Sequence, residues 1–218
     1  MIDATLLVVA KAPVPGLAKT RLMASFSAEQ AASVAASALL DTLAAAARAP
    51  FTRRVVAMTG DLAQAAESDD IVGALQDFEV IEQRGDSFSE RLVHAHHDAA
   101  GSGAVVQIGM DTPQVTASML ADVGRALTVS ATVLGPAEDG GWWVLGLRNA
   151  ADAGAVADVE MSTSRTGADT RAALLGRGLD VGTAPMLRDV DEPTDLATVA
   201  AACTQSSRFR RMVQSLVC

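Results

Sequence analysis

Residues 5–22 read Thr5-Leu6-Leu7-Val8-Val9-Ala10 and then Lys11-Ala12-Pro13-Val14-Pro15-Gly16-Leu17-Ala18-Lys19-Thr20-Arg21-Leu22. The first six residues are an unbroken apolar run of strand length. A run that does not alternate belongs to a strand buried on both faces, the habit of parallel sheets. Two prolines and a glycine then exclude helix and impose a rigid loop. Beyond it, Ser27 and Gln30 stand at capping-box spacing. They predict a helix over Ala28–Arg48, with Ala31, Ala35, Leu39, Leu43 and Ala46 on one face. Strand, loop and helix in that order open an α/β domain.

The same alternation continues along the chain. Strands are expected at Arg54–Met58, Phe78–Glu82, Ala104–Met110 and Ala131–Gly135, and helices at Ser87–Ala100 and Thr116–Leu127. Gly141–Leu147 follows its predecessor too closely for a crossover helix and is expected to run back antiparallel. A helix near Arg165–Leu175, a short strand near Met186–Val190 and one or two C-terminal helices complete the pattern. Strands spaced by helices imply a mixed, mostly parallel sheet covered on both faces, a three-layer α/β/α sandwich. With no linker and no repeat, one domain over 1–218 is expected.

Composition narrows the function. Half the residues are hydrophobic, and the chain has no tyrosine, so aliphatic side chains and alanine must build the core. A formal charge of −9 disfavours nucleic acid as a partner. Cys203 and Cys218 form no metal-binding spacing and are read as reduced thiols. The start lacks a cationic segment before an apolar stretch, and no uninterrupted apolar run reaches the ~18 residues of a membrane span. A cytoplasmic protein is expected.

In an open α/β sheet, ligands bind beyond the carboxyl ends of the strands, which singles out four loops. The first carries Lys11, Lys19 and Arg21, with Pro13 and Gly16 shaping a backbone that can approach an anion. It matches neither GxxxxGK[ST] nor GxGxxG, and a solvated basic surface loop has the same composition. The second, Gly109-Met110-Asp111-Thr112-Pro113, ends a buried strand on a carboxylate that suits Mg²⁺ or caps a turn. The third, Gly135–Gly141, contains Glu138, Asp139, Gly140 and Gly141, where Asp-Gly is by itself a turn signal. The fourth holds Asp189 and Asp191 on one side of the expected strand end, with Pro193 fitting the first turn of a helix. His94, His96 and His97 lack the further ligands that zinc needs. Of Trp142 and Trp143, alternating on a strand, one is expected in the core and the other beside a pocket.

The segments KAPVPGLAKTRL (11–22), GMDTP (109–113), GPAEDGGWWVLGL (135–147) and DVDEPTDL (189–196), with QRGDSFSERL (83–92) more weakly, span nearly the whole chain. Together they resemble the radical-SAM/selenodomain-associated transferases of the first type, within the nucleotide-diphosphosugar transferase superfamily. More distantly they resemble phospholactate and molybdenum-cofactor guanylyltransferases. The resemblance implies a GT-A-like Rossmann-type fold and a Mg²⁺ (or Mn²⁺) cofactor. The implied ligands are a nucleoside triphosphate or nucleotide sugar and a small-molecule acceptor. It assigns Lys19 and Arg21, with Lys11 nearby, to the donor's phosphates, and Gly85 and Asp86 to its base or ribose. Asp111 would hold the metal together with Asp191 or Asp189. Asp139, Gly140 and Gly141 would shape the acceptor side, where Ser162, Thr163 and Ser164 could bind an anionic group. Ser87-Phe88-Ser89 departs from the leucine-glycine pair expected before Glu90-Arg91, which bears on the base pocket.

Nucleotidyl transfer from an NTP to a small anionic acceptor is the leading expectation, since several cations on a rigid loop suit a triphosphate. Glycosyl transfer from a nucleotide sugar, with Glu138 or Asp139 as base, is the alternative. A nucleotide-binding regulator without turnover is the third.

Overall fold

The computed structural model describes residues 1–217; Cys218 lies outside them. The elements are β1 (Ile2–Lys11), α1 (Ala28–Arg48), β2 (Phe51–Thr59), α2 (Ser68–Ala74), β3 (Glu79–Glu82), α3 (Phe88–Ala100) and β4 (Val105–Ile108). They continue with α4 (Ala117–Ala126), β5 (Thr132–Pro136), β6 (Trp142–Leu147), α5 (Thr166–Gly176), β7 (Val181–Thr183), α6 (Asp195–Ala202) and α7 (Arg208–Val217).

All strands join one seven-stranded sheet in the order β3-β2-β1-β4-β6-β5-β7. Every pairing is parallel except those of β6, which runs antiparallel to β4 and β5. The antiparallel return expected for Gly141–Leu147 is therefore present. Ala4 through Ala10 are all buried, because β1 is central and covered on both faces. On one face Leu6, Val8 and Ile108 pack beneath Leu39 and Leu43 of α1, Ile71 of α2 and Leu120 of α4. On the other, Leu7, Val9 and Val105 meet Leu92 of α3, Val156 of the 3₁₀ segment Ala150–Val156, and Leu174 of α5.

Helix α1 starts as its sequence demands, with the reciprocal Ser27–Gln30 capping box formed. It is buried on two sides rather than one. Ala31, Val34 and Ala38 pack outward against Leu196 and Val199 of α6 and Phe209 and Val213 of α7. Alanine at these positions lets backbones approach closely. By length and composition α1 is apolar enough for a membrane span, but 72% of its most apolar window is buried within the protein. That apolarity serves the core. Asp41 of α1 also caps α7, accepting from the backbone N–H groups of Arg208 (3.0 Å) and Phe209 (2.9 Å) and from the Ser207 hydroxyl (2.6 Å).

Two local expectations are corrected. Met186–Val190 is not a strand. The last strand is β7 at Val181–Thr183, and only Leu187 makes a bridge, to Ala137. Pro193 lies before α6 rather than in its first turn. The loop ahead of α6 is held instead by the Asp195 carboxylate, which accepts from the backbone N–H groups of Asp191 (3.0 Å) and Glu192 (2.7 Å). Helix α2, absent from the sequence reading, begins at Glu67, which has a left-handed backbone and no side-chain cap.

Candidate functional site

A cleft of about 420 Å³ lies where the carboxyl ends of β1 and β4 meet the β5–β6 turn. Three of the four loops singled out from sequence contribute their charged side chains to one point there. Lys19, in the left-handed region at φ 50°, precedes a short 3₁₀ turn at Thr20–Ala24. That backbone costs a non-glycine residue about 1–2 kcal/mol. Its side chain is only 9% exposed, and its Nζ stands 2.9 Å from Asp111 Oδ2 and 3.9 Å from Asp191 Oδ1. Arg21 also pairs with Asp191. The Asp111 carbonyl accepts from the Val190 N–H at 2.9 Å, which ties the second loop to the fourth.

Asp111 has one carboxylate oxygen, Oδ1, that is buried without a hydrogen-bond partner. Asp189 lines the same cleft, and its pKa is pushed up to about 6 by burial and by the neighbouring Asp139 and Asp111 carboxylates against the pull of Lys19. A cation placed beside these carboxylates would favour their charged forms. No group of three His, Cys, Asp or Glu side chains forms a complete metal cage among the described residues. Mg²⁺ needs none, since it commonly uses one or two carboxylates with phosphate oxygens and water.

Asp139 and Gly141 line the cleft, with the Gly141 N–H donating to Asp139 Oδ1 at 2.7 Å. Gly140 does not line it. At φ +90°, a Cβ on Gly140 would stand 2.0 Å from the Ser164 carbonyl oxygen. Gly140 O also accepts from the Gly167 N–H at 2.8 Å. The turn is thus clamped against the loop holding Ser162 and Thr163, both in the cleft, while Ser164 is outside its lining. Glu138 is outside as well, held by Arg188 through Nε (2.9 Å) and Nη2 (2.5 Å).

Lys11 lines the cleft and donates to the Leu17 carbonyl at 2.9 Å, closing its loop. Pro13 and Gly16 shape that loop without lining the cleft; the Pro13 carbonyl accepts from Ala66 N–H at 3.0 Å, and Gly16 turns at φ 77°. Gly85 and Asp86 lie outside the cleft lining. Gly85 packs against Glu90, and the Asp86 N–H donates to Glu90 Oε2 at 2.8 Å. Trp142 and Trp143 both border the cleft. Trp143 is 3% exposed, with Nε1 donating to the Pro185 carbonyl, while Trp142 donates to Thr170 Oγ1. The histidines share no metal: His94 contacts the Arg84 carbonyl, His96 is buried, and His97 faces Asp98.

Gln83, Arg91 and Gln107 are among the cleft residues to which the sequence reading gave no role. Gln83 Nε2 donates to the carbonyls of Ala10 (2.7 Å) and Ala57 (2.8 Å), pinning the ends of β1 and β2 together. Arg91 enters from the first turn of α3, and Gln107 from β4. Gln107 had a readable signal, a lone amide inside the run AVVQI. Arg91 lay in the weaker segment 83–92 that carries the resemblance, which gave it no role of its own.

Residues 42–163 match the model of the family described as "Uncharacterized protein conserved in bacteria (DUF2064)". The chain belongs to that family. No curated protein matches the DUF2064 chain in sequence. Among solved structures it is similar to a candidate nucleotide-diphospho-sugar transferase from Desulfovibrio desulfuricans G20, with 24% identity, TM-score 0.86, and 99% of this chain and 95% of that one covered. It is also similar to a CMP:2-keto-3-deoxy-manno-octonic acid synthetase complexed with CTP (12%, TM-score 0.57, 98% and 99% covered). A third is Rv0371C of Mycobacterium tuberculosis H37Rv in complex with manganese (18%, TM-score 0.50, 98% and 100% covered). At these identities the likeness establishes the fold: a mixed, mostly parallel α/β sandwich of the nucleotide-diphospho-sugar transferase type.

Proposed function

We propose that this chain is a cytoplasmic, divalent-metal-dependent nucleotidyltransferase that moves a nucleoside monophosphate from a triphosphate to a small anionic acceptor. The observation that carries the reading is the meeting of Lys19, Arg21, Asp111 and Asp191 at the carboxyl ends of the central strands. Four charged groups from three loops form an anion-and-cation site where this sheet type places its ligands. A synthetase of the same fold that is complexed with CTP supports it.

The residues fit a divalent cation: Asp111 has a buried oxygen without a partner, and Asp189 and Asp191 stand in the same cleft. Asp111 with Asp191 or Asp189 would hold it. When bound, Mg²⁺ or Mn²⁺ neutralises charge on the phosphate oxygens. Lys19 and Arg21 bind and orient the phosphates and stabilise the departing pyrophosphate. Lys11 closes the loop that presents them. Asp139, Gly141, Ser162 and Thr163 form the wall on the acceptor side.

Glycosyl transfer loses one of its two candidate bases, because Glu138 is paired with Arg188. Asp139 remains for it. Pyrophosphate release with each of the four NTPs, in Mg²⁺ and in Mn²⁺, separates the readings. One NTP yielding pyrophosphate supports nucleotidyl transfer. Consumption of nucleotide sugars with no pyrophosphate from any NTP sinks it.

A further inference from the structure

The cleft has further polar side chains on the α3–α5 face of the sheet. Gln107 lies in the middle of β4, between Leu7 of β1 and Leu145 of β6. It is 3% exposed and lines the cleft, and its Oε1 is buried with no hydrogen-bond partner. Leaving such a group unpaired is costly, so buried amides are almost always bonded. Arg91 of α3 lines the same cleft, its guanidinium 5.6 Å from the Phe88 ring centroid and its Nε buried without a partner. The other charged donors of the cleft are engaged, Lys19 and Arg21 by carboxylates and Lys11 by a carbonyl. Arg91 has no ion-pair partner among the described residues.

We infer that Arg91 and Gln107 are the specificity-determining pair for the acceptor, which is a compact polyhydroxylated anion. The guanidinium takes the carboxylate or phosphate, since its planar fork matches either group. The carboxamide takes an adjacent hydroxyl, for which its free oxygen is the acceptor. Leu92, Trp142 and Met161 enclose the carbon skeleton. Lys19 and Asp111 line the same cleft. Naming this ligand the acceptor rests on the nucleotidyl-transfer reading; occupancy of the pocket does not.

The test is thermal shift of the full chain with gluconate, sorbitol, hexanoate, glycerol 3-phosphate and inorganic phosphate at about 10 mM, each with and without Mg²⁺ and NTP. Wild type, Gln107→Met and Arg91→Met are compared. Gluconate or glycerol 3-phosphate is expected to raise the Tm, while sorbitol, hexanoate and phosphate do so less. A response to gluconate alone assigns a carboxylate, and one to glycerol 3-phosphate alone a phosphate. Gln107→Met should abolish the shift, yet raise the free protein's own Tm by about 2–4 °C, because an unsatisfied amide is replaced by an apolar chain of similar size. A merely structural glutamine would lower it. No response of wild type to either hydroxylated anion overturns the inference, as does a response that survives both substitutions. A response to the anions with silence toward every NTP leaves the pocket standing and removes the nucleotide reading.

Discussion

At the scale of single residues, Asp111 stands at the centre of the proposed site. One oxygen pairs with Lys19 at 2.9 Å and the other is buried and unpaired. Replacing it by asparagine keeps the shape and removes the charge. Asp111→Asn is expected to abolish the metal dependence of nucleotide stabilisation and to lower turnover by at least about 10²-fold, the scale on which lost electrostatic positioning acts. Pyrophosphate release and Tm with and without Mg²⁺ check it, and unchanged metal dependence removes Asp111 from the site.

His96 gives an independent prediction. It is fully buried, and burial pushes its pKa from 6.5 down to about 4 against the opposing contact with the Leu92 carbonyl. A histidine depressed in the folded state binds its proton first in the unfolded chain. Its contribution to stability is whole above pH 6.5 and is lost as the pH falls toward 4. Between pH 7.5 and 4.5 the loss is about 2–3 kcal/mol. His96→Met should flatten that part of the profile. Urea midpoints at the two pH values measure it, and parallel losses in variant and wild type would refute it. The sequence showed three clustered histidines but not which one the core would enclose, because burial depends on the partner helix and not on local spacing.

At the scale of elements, most of the fold was legible where the pattern is strong. The unbroken apolar run of β1 and the Ser27–Gln30 box of α1 specify their elements locally. The close succession of β5 and β6 dictated an antiparallel pair. Legibility failed where geometry is set from elsewhere in the chain. Asp189 and Asp191 reach the cleft from an irregular loop held by Asp111, Asp195 and Leu187, and no local pattern announces that. Glu138 reads as a site residue until Arg188, distant in sequence, is seen to hold it. Gly140 is the opposite case, singled out for the acceptor side but acting through the β5–β6 turn. A methyl group there would meet the Ser164 carbonyl at 2.0 Å, at a φ of +90° that alanine avoids. Gly140→Ala is expected to cost about 2–3 kcal/mol, a fall in Tm of roughly 5–10 °C for a chain of this size. It should also pull the Ser162–Thr163 loop out of place, raising KM for the acceptor more than for the nucleotide. Equal effects on both substrates would mean that the turn serves stability alone.

At the scale of the whole molecule, charge poses a problem that the cleft must solve. The chain carries a formal −9, and Asp111, Asp139, Asp189 and Asp191 crowd the place proposed for a triphosphate. A polyanion arriving alone meets these carboxylates in a partly desolvated cleft, where repulsion is weakly screened. The nearby cations do not compensate fully, because Lys19 and Arg21 are already neutralised by Asp111 and Asp191. Asp111 would hold a divalent cation under the proposed function, and the ion's charge would offset the carboxylates and leave Lys19 available to a phosphate. Metal and nucleotide should therefore bind cooperatively, each improving the other's affinity by the same factor, as linkage requires. A factor of at least ten, about 1.4 kcal/mol, would appear as a Tm rise with both ligands that exceeds the sum of the separate rises by roughly 3–5 °C. Lys19→Met should reduce that excess, since one of its two causes is the release of Lys19. Strictly additive rises in the wild type would show that the Lys19–Asp111 pair is a structural clasp that no metal opens.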